Sequence, residues 1–313
     1  MIARLSASIL TLQLISTVAA FRLVDSFSGP GFFDNFDFFT ADDPTHGYVD
    51  YVDRGTAQSQ GLIQATGQQA FIRPDSTNVA SGRGRKSVRL QSKKTYNQGS
   101  LIIADVAHMP VGCGTWPAFW TVGPNWPNSG EIDIIEGVNT QTQNLLTLHT
   151  SAGCTMAGVG RDQWAVADSL NCDVNAPGQF ANQGCASRDS NTKSYGTDFN
   201  NNGGGVYATL WDASGIKIYL FFNDIVPADV RNGNPNPAGW GRPTAVFPFG
   251  NNCPASHFAN HQIVINTAFC GDWAGAVFGQ NGCPGNCVDF VRNNPGAFRD
   301  AYWAFKSVKV YQQ

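Results

Sequence analysis

Three carboxylates, Glu131, Asp133 and Glu136, lie within six residues of one another, and only isoleucines separate them. Isoleucine favours an extended backbone inside a sheet, where successive side chains alternate between the two faces. Strict alternation places Glu131 and Asp133 on one face and turns Glu136 to the other. One extra residue at Ile134 or Ile135, a β-bulge, returns Glu136 to the face of the other two acids. The stretch therefore predicts a strand with three acids on one face and an apolar opposite face.

Such a group of acids has more than one interpretation. Acidic side chains are ordinary on the solvent face of an edge strand, and an acidic triplet also supplies half of a calcium site. A calcium loop, however, needs oxygen ligands on a flexible turn, whereas isoleucines separate these acids. Trp116, Trp120 and Trp126 all lie within fifteen residues upstream of Glu131. Aromatic rings stack on the apolar faces of sugars and paired carboxylates exchange the glycosidic bond, so a sugar-cleaving site is the favoured interpretation.

The composition is typical of a secreted β-protein, with 12% aromatic residues, 14% charged residues and 34 glycines. The basic Arg4, an apolar stretch over residues 9–18 and the small residues at 18–20 predict a secretory signal peptide over residues 1–20. We therefore expect a secreted, extracellular protein whose single domain spans residues 21–313.

All eight cysteines follow the predicted signal peptide, and an even count in a secreted chain predicts disulfides without fixing their pairing. Cys172 and Cys185 are expected to staple a long loop region, 155–202. Cys283 and Cys287 are interpreted as closing a local loop. Irregular spacing and the absence of histidine partners at zinc-like intervals argue against a zinc site.

The formal net charge of −3 gives no attraction toward nucleic acid or anionic membranes. The chain has no Asn-X-Ser/Thr site for N-glycans. One basic cluster surrounds an alternating strand pattern and is interpreted as a solvated sheet face; its members are Arg83, Arg85, Lys86, Arg89, Lys93 and Lys94.

Short strand patterns alternate with loops rich in Gly, Asn, Pro and Asp. The clearest patterns are Ser100–Asp105, Ala118–Val122, Glu131–Glu136, Leu145–Thr150, Val206–Trp211, Ile216–Phe222, Ile263–Ala268 and Phe305–Tyr311. Only Val288–Asn293 and Ala297–Ala301 look helical. Strands without intervening helices indicate antiparallel pairing, so we predict an all-β fold, a jelly-roll sandwich of two antiparallel sheets.

The acid stretch resembles the signature of glycoside hydrolase family 16, in its variant with an extra bulge residue. Further segments are similar to fungal secreted laminarinases of this family: 38–47, 114–120, 144–149, 265–273 and 302–311. The resemblance covers essentially the whole chain after the signal peptide. It implies a β-jelly roll with a substrate cleft across its concave sheet, and endo-hydrolysis of β-glucans with retention of configuration.

Carried over by position, the resemblance implies that Glu131 is the nucleophile and Glu136 the general acid/base, with Asp133 supporting the nucleophile. The chemistry requires a protonated Glu136 and an ionised Glu131 at rest. The resemblance also implies that His149 lies near the nucleophile, where we expect contact with Asp133 or the sugar. The alternative is a buried core histidine whose hydrogen bonds are satisfied.

Trp126 and Trp273 are the preferred sugar-stacking residues, with Trp116 next. Trp120 fits the cleft or the core equally well, and Trp211 and Trp303 lie in core patterns. The leading hypothesis is a monomeric endo-β-1,3-glucanase, active on mixed β-1,3/1,4-glucan as well, with a polysaccharide substrate and no cofactor or metal. The alternatives are a glucan transglycosylase of the same fold and a glucan-binding protein without activity.

Overall fold

The structure is a computed structural model and describes residues 20–313. The predicted signal peptide lies outside the described residues, apart from Ala20. Two eight-stranded sheets, whose neighbouring strands all pair antiparallel, dominate the described part of the chain, so the prediction of an all-β jelly roll is confirmed. Within residues 20–313, the longest apolar helical segments fall short of the length needed to cross a membrane.

The strands are short, as the spacing of turn residues predicts. The first nine are β1 (Arg22–Ser28), β2 (Phe36–Phe38), β3 (Val49–Tyr51), β4 (Ile63–Ala65), β5 (Ala70–Ile72), β6 (Arg85–Ser87), β7 (Arg89–Ser92), β8 (Ser100–His108) and β9 (Thr115–Val122). The remaining nine are β10 (Glu131–Glu136), β11 (Leu145–His149), β12 (Val166–Ala167), β13 (Cys185–Arg188), β14 (Gly205–Asp212), β15 (Gly215–Phe222), β16 (Ala245–Pro248), β17 (Gln262–Phe269) and β18 (Trp303–Gln312). All eight predicted strands fall on observed ones.

Helices are few and lie in the connections. They are α1 (Arg54–Ser59), α2 (Gly196–Asn201), α3 (Ala228–Arg231) and α4 (Cys287–Asn293). Short 3₁₀ segments span Gly29–Asn35, Pro237–Gly239, Ala255–His257 and Pro295–Phe298, and a π-helical turn spans Gly271–Gly275. The predicted helix over Val288–Asn293 is confirmed. The one predicted over Ala297–Ala301 is wrong, because the chain there forms only the 3₁₀ turn that starts at Pro295.

Strand order places the acid-bearing strand in the middle of one sheet. The first sheet runs β16-β15-β14-β8-β18-β5-β4, with β1 also on β18, and the second runs β12-β13-β11-β10-β9-β17-β7-β2. A separate parallel pair joins β3 to β6. The two large sheets pack face to face: Phe119 of β9 lies 5.7 Å from Phe305 of β18, measured between ring centroids. Trp211 and Trp303 are buried, as predicted.

The region over residues 155–202 is more regular than predicted. It contributes β12 and β13 to the second sheet, where β13 pairs with β11, and it ends with helix α2. Its strand signals are weak because β12 has only two residues and β13 only four. The expected staple between Cys172 and Cys185 is confirmed.

Four disulfides use all eight cysteines, and one prediction about them is wrong. Cys283 and Cys287 do not close a local loop. Cys283 pairs with Cys113, which lies 170 residues away in sequence, and Cys287 pairs with Cys270. The fourth bond joins Cys154 to Cys253. The prediction relied on the closeness of Cys283 and Cys287 in sequence, but their sulfurs reach different partners.

The basic cluster is not a uniformly solvated face. Arg83, Lys86, Lys93 and Lys94 are accessible, but Arg85 and Arg89 are buried. The Arg85 guanidinium donates hydrogen bonds to the carbonyl oxygens of Val291 (3.0 Å), Asp75 (2.6 Å) and Asn78 (3.2 Å). It also stacks over the Phe298 ring at 4.6 Å. Arg85 thus satisfies backbone groups that would otherwise be buried without partners.

We expect Arg85→Met to lower the free energy of unfolding by about 3 kcal/mol, because it strands several buried carbonyl oxygens. The matched control is Lys86→Met at the next, accessible position, which should stay within about 0.5 kcal/mol of wild type. Urea unfolding under oxidising conditions, followed by tryptophan fluorescence, measures both. Equal effects of the two substitutions would contradict the structural role assigned to Arg85.

Candidate active site

The acid strand β10 carries the predicted bulge. Its pairing with β9 sets Asp133 opposite Trp120 and Glu136 opposite Ala118, and the register shifts between Asp133 and Ile135. Trp120 and Ala118 are two residues apart in β9 and therefore share a face. Because residues directly opposite each other in paired strands point to the same side, Glu136 rejoins Asp133 on one face of the sheet.

A buried asparagine holds the bulge. The Asn144 amide nitrogen donates to the Ile134 carbonyl (2.7 Å), and its Oδ1 accepts from the Glu136 backbone N–H (2.9 Å). The bulge takes Ile134 out of register with β9, and the pairing of β10 with β11 ends at Asp133. The bulge removes the β-ladder hydrogen bonds of these two backbone groups, and the Asn144 side chain replaces them.

The isoleucines of β10 pack into the sandwich, while the acids lie on the opposite face. Ile132, Ile134 and Ile135 are at most 1% exposed. Asp133 is itself only 1% exposed, whereas Glu131 and Glu136 are partly accessible. The face therefore offers two reachable carboxyl groups on either side of one enclosed carboxyl group.

Burial raises the pKa of all three acids, and the charge of a neighbouring acid raises it further at Glu131 and Asp133. Burial, followed by the Asp133 charge, raises the pKa of Glu131 to about 8, against opposing effects of His149 and Trp126. Burial and the charge of Glu136 hold the pKa of Asp133 well above its usual range. Burial also raises the pKa of Glu136, although Trp116 opposes the rise. Burial of the three acids on one face therefore favours their protonated forms.

His149 lies where the resemblance predicted. It sits opposite Glu131 in the pairing of β10 with β11, and its Nε2 lies 3.1 Å from Asp133 Oδ2. The ring is 7% exposed, so it is enclosed at the edge of the acid cluster. A protonated imidazole at this position stabilises an ionised carboxylate beside it.

The three predicted stacking tryptophans all lie near the acids. The Trp126 indole lies close enough to Glu131 to lower the pKa of its carboxyl group, and Trp126 is 43% exposed. Trp116 Nε1 donates to Glu136 Oε1 at 2.9 Å. Trp273, on the π-helical turn, meets Trp116 edge-to-face with centroids 5.7 Å apart. Trp120 is also on this face, opposite Asp133, and its Nε1 donates to Asn266 Oδ1.

Sequence reasoning missed two residues of this face. Asn144 was noted only as part of a similar segment, although an asparagine shortly after a bulged strand is a reasonable candidate for satisfying it. Arg89 was assigned to a solvated face, but its guanidinium lies between Phe39 (4.6 Å) and Trp120 (5.0 Å). Its Nε is buried without a hydrogen-bond partner. The alternation of side chains in β7 could have indicated the position of Arg89. Arg89 pairs with Asn266, and Asn266 pairs with Ala118, so Arg89 points to the face that carries the acids.

Three of these residues also have an arrangement that a cation would accept. Within residues 20–313, Glu131, Asp133 and His149 offer ligand atoms that lie within 4.8 Å of one another. The same proximity is what an acid cluster with a charge-stabilising imidazole requires.

Comparisons with known proteins agree with this geometry. Residues 36–311 match the family model of the XgeA-like catalytic GH16 domain. The endo-1,3(4)-beta-glucanase of Arthroderma benhamiae is 48% identical over 302 residues, which cover 94% of this chain and 65% of that protein. The chain therefore spans just under two thirds of the length of this relative.

Two solved structures extend the comparison. GH16 laminarinase 16A from Phanerochaete chrysosporium superposes with a TM-score of 0.89 at 47% identity, covering 94% of this chain and 100% of that one. An elongating GH family 16 beta-1,3-glucosyltransferase superposes with a TM-score of 0.87 at 41% identity, with the same coverages. With the bulged acid strand, the aromatic face and these matches together, the chain belongs to glycoside hydrolase family 16.

Proposed function

We propose that this protein is a secreted, endo-acting, retaining β-glucanase that hydrolyses β-1,3-glucan of the laminarin type and mixed β-1,3/1,4-glucan. The observation that carries the proposal is the bulge in β10, which gathers Glu131, Asp133 and Glu136 on one aromatic-lined face. The names of the glucanase and laminarinase relatives support the substrate class. We therefore propose a polysaccharide as the binding partner. We expect the enzyme to act as an extracellular monomer that needs no metal or cofactor. We expect it to have no affinity for nucleic acid or membranes.

The proposed reaction has two displacements. Glu131 attacks the anomeric carbon while Glu136 protonates the departing glycosidic oxygen, which forms a covalent glycosyl-enzyme ester and releases the reducing-end product. Glu136, now ionised, then removes a proton from water, and the resulting hydroxide displaces Glu131. Each step inverts the anomeric carbon, so the product retains the original configuration.

Asp133 and His149 are proposed to control the charge of the nucleophile. Asp133 lies two residues from Glu131 on the same face, and its charge raises the pKa of the Glu131 carboxyl group. His149 adds a favourable electrostatic contribution to an ionised Glu131. Both act on the same group in opposite directions: the Asp133 charge favours protonated Glu131, and the imidazole favours ionised Glu131.

The tryptophans are proposed to position the sugar rings. Trp126 beside Glu131, and Trp116 with Trp273 beside Glu136, place aromatic faces next to both reacting carboxyl groups. Stacking on these rings orients a pyranose while leaving its hydroxyls free for polar contacts. The indole N–H of Trp116 also fixes the direction of the Glu136 carboxyl group.

Transglycosylation is the second candidate function, because a 41% identical structure is an elongating glucosyltransferase. The two activities share the first displacement and differ in whether water or a sugar hydroxyl accepts the glycosyl group. Chromatography of products from laminarioligosaccharides separates them, since products longer than the substrate indicate transfer. A binding protein without activity is disfavoured, because it has no need for three crowded acids of raised pKa.

Azide rescue tests the roles of the two glutamates. We expect Glu131→Ala and Glu136→Ala each to lower kcat on laminarin by about a thousandfold or more. The substrate is an aryl β-laminaribioside with an activated leaving group. In Glu131→Ala, azide occupies the space of the missing carboxylate and should yield the α-glycosyl azide. Azide in Glu136→Ala should yield the β-glycosyl azide. NMR assigns the anomers, and identical anomers from both variants would contradict the assignment.

Two substitutions should shift the acidic limb of the pH profile in opposite directions. The Asp133 charge raises the pKa of Glu131, so Asp133→Asn should lower that pKa and move the limb of kcat/KM to lower pH. His149 lowers the pKa of Glu131, so His149→Gln should move the limb to higher pH. Rates on laminarin between acidic and alkaline pH measure both. Shifts of the same sign would contradict control of Glu131 by these neighbours.

Asn144→Ala should lower kcat about a hundredfold, because the Glu136 backbone loses its partner and the acid/base shifts relative to the bond. The neighbouring Gln143→Ala is the control, since the Gln143 side chain bonds to Asp189 and not to the bulge. Steady-state kinetics on laminarin with melting curves measure the effect. A folded Asn144→Ala with wild-type kcat would show that the bulge holds its shape without the amide.

A further inference from the structure

Large apolar side chains are exposed in one short part of the chain. Among the described residues, eight large hydrophobic side chains are exposed, and four of them lie between residues 164 and 180. They are Trp164 (58%), Val166 (65%), Leu170 (41%) and Phe180 (84%). We call these four residues the apolar rim. Single exposed hydrophobic residues are ordinary, but a group of them marks an interaction surface.

Strand register places the rim strand on the same face as the catalytic acids. Val166 in β12 pairs with Arg188 in β13, and Ala186, two residues from Arg188, pairs with Thr147 in β11. Thr147 pairs in turn with Asp133 in β10. Because paired residues share a face and every second residue returns to it, Val166 points to the side of the sheet that carries Asp133.

The Trp164 ring of the rim is held in a defined setting, and the backbone at Phe180 is fixed by a turn. The Arg242 guanidinium stacks on Trp164 at 4.6 Å, and Trp164 Nε1 donates to the Arg242 carbonyl. One indole face is thus supported while the ring stays 58% exposed. Phe180 lies in a tight turn, in which the Gln183 N–H donates to the Phe180 carbonyl (3.0 Å). The Trp164 ring, which is already held, loses little conformational freedom on binding a sugar.

The loop of Phe180 joins the rim to the acid cluster. Gln179 exchanges two hydrogen bonds, both 2.9 Å, with the backbone of Asn171, so Phe180 is held beside Leu170. The base of the loop is Gly184, where a Cβ atom would lie 2.8 Å from His149 Nδ1. The loop therefore begins against the histidine of the catalytic cluster and continues outward to the rim.

The separation fits a carbohydrate chain. Three strand spacings divide β12 from β10, which corresponds to about 14 Å across the sheet. A polysaccharide that crosses the strands at the acids reaches β12 after a few sugar units. Between the two lies the pair Arg188–Asp168 (3.1 Å), whose side chains are about one third exposed and offer polar groups to sugar hydroxyls.

We propose that the apolar rim binds a remote part of the same β-glucan chain that is cleaved at Glu131 and Glu136. This inference rests on the proposed function. The rim lengthens the glucan-binding face beyond the reacting bond and makes the enzyme favour long chains over short oligosaccharides. Trp164 and Phe180 provide the stacking rings, and Val166 and Leu170 provide further apolar groups.

The test compares the double substitution Trp164→Ala/Phe180→Ala with the control Val79→Ala/Ile225→Ala, whose residues are similarly exposed elsewhere. The rim variant should raise KM for laminarin about tenfold, with kcat within about twofold of wild type. Its kcat/KM for laminaritetraose should stay within about twofold, because this substrate is too short to need the rim. The control should match wild type on both substrates, and melting curves should confirm that all variants fold.

A direct binding measurement completes the test. In a Glu131→Gln background, the rim variant should sediment less with insoluble β-1,3-glucan than the control does. Unchanged KM and sedimentation, or equal losses on laminarin and laminaritetraose, would overturn the inference. So would a rim variant that changes the hydrodynamic size, because the surface would then contact a second copy of the chain. If wild type does not cleave laminarin, the proposed function itself fails, which is a separate result.

Discussion

The active-site arrangement depends on one hydrogen-bonded side chain, the buried amide of Asn144. A strand in regular register would send Glu136 into the apolar interior, where an acid has no partner. The bulge prevents this but leaves the Ile134 carbonyl and the Glu136 N–H without ladder partners. Asn144 supplies both an acceptor and a donor at these points, at 2.9 Å and 2.7 Å. The Asn144 side chain therefore stabilises the bulged backbone, and the bulge brings the three acids to one face.

Gathering the acids creates an electrostatic problem that the surroundings only partly relieve. Burial raises the pKa of all three carboxyl groups, and the charge of a neighbouring acid adds to the rise at Glu131 and Asp133. Indole N–H groups and the imidazole oppose the rise at both glutamates. Asp133 Oδ2 lies near His149 but has no hydrogen-bond partner. The raised pKa of Glu136 is consistent with the role of proton donor that we propose for it.

Much of this was predictable from local patterns. Isoleucine spacing gave β10, its apolar face and the need for a bulge, and the tryptophan-rich approach indicated the ligand class. Long-range pairing was not predictable: Cys113 meets Cys283 across 170 residues, which no local spacing encodes. Arg85 and Arg89 were misjudged because charge usually marks solvent, whereas Arg85 is fully enclosed by carbonyl oxygens and Arg89 lies between aromatic rings. Burial of a cation depends on partners that come from distant segments.

A disulfide supports the loop at each end of β10. At the Glu136 end, the turn that carries Trp273 follows Cys270, whose φ of 58° is unfavourable for a residue with a Cβ atom. The bond to Cys287 and the hydrogen bond from the Cys270 N–H to Gly114 hold this conformation. At the Glu131 end, the loop of Phe180 meets His149 through Gly184 and is closed by the disulfide between Cys172 and Cys185. Each end of the acid strand is therefore flanked by a loop with a disulfide anchor, and residues between the anchors can vary in length and composition while the acids stay fixed on the sheet.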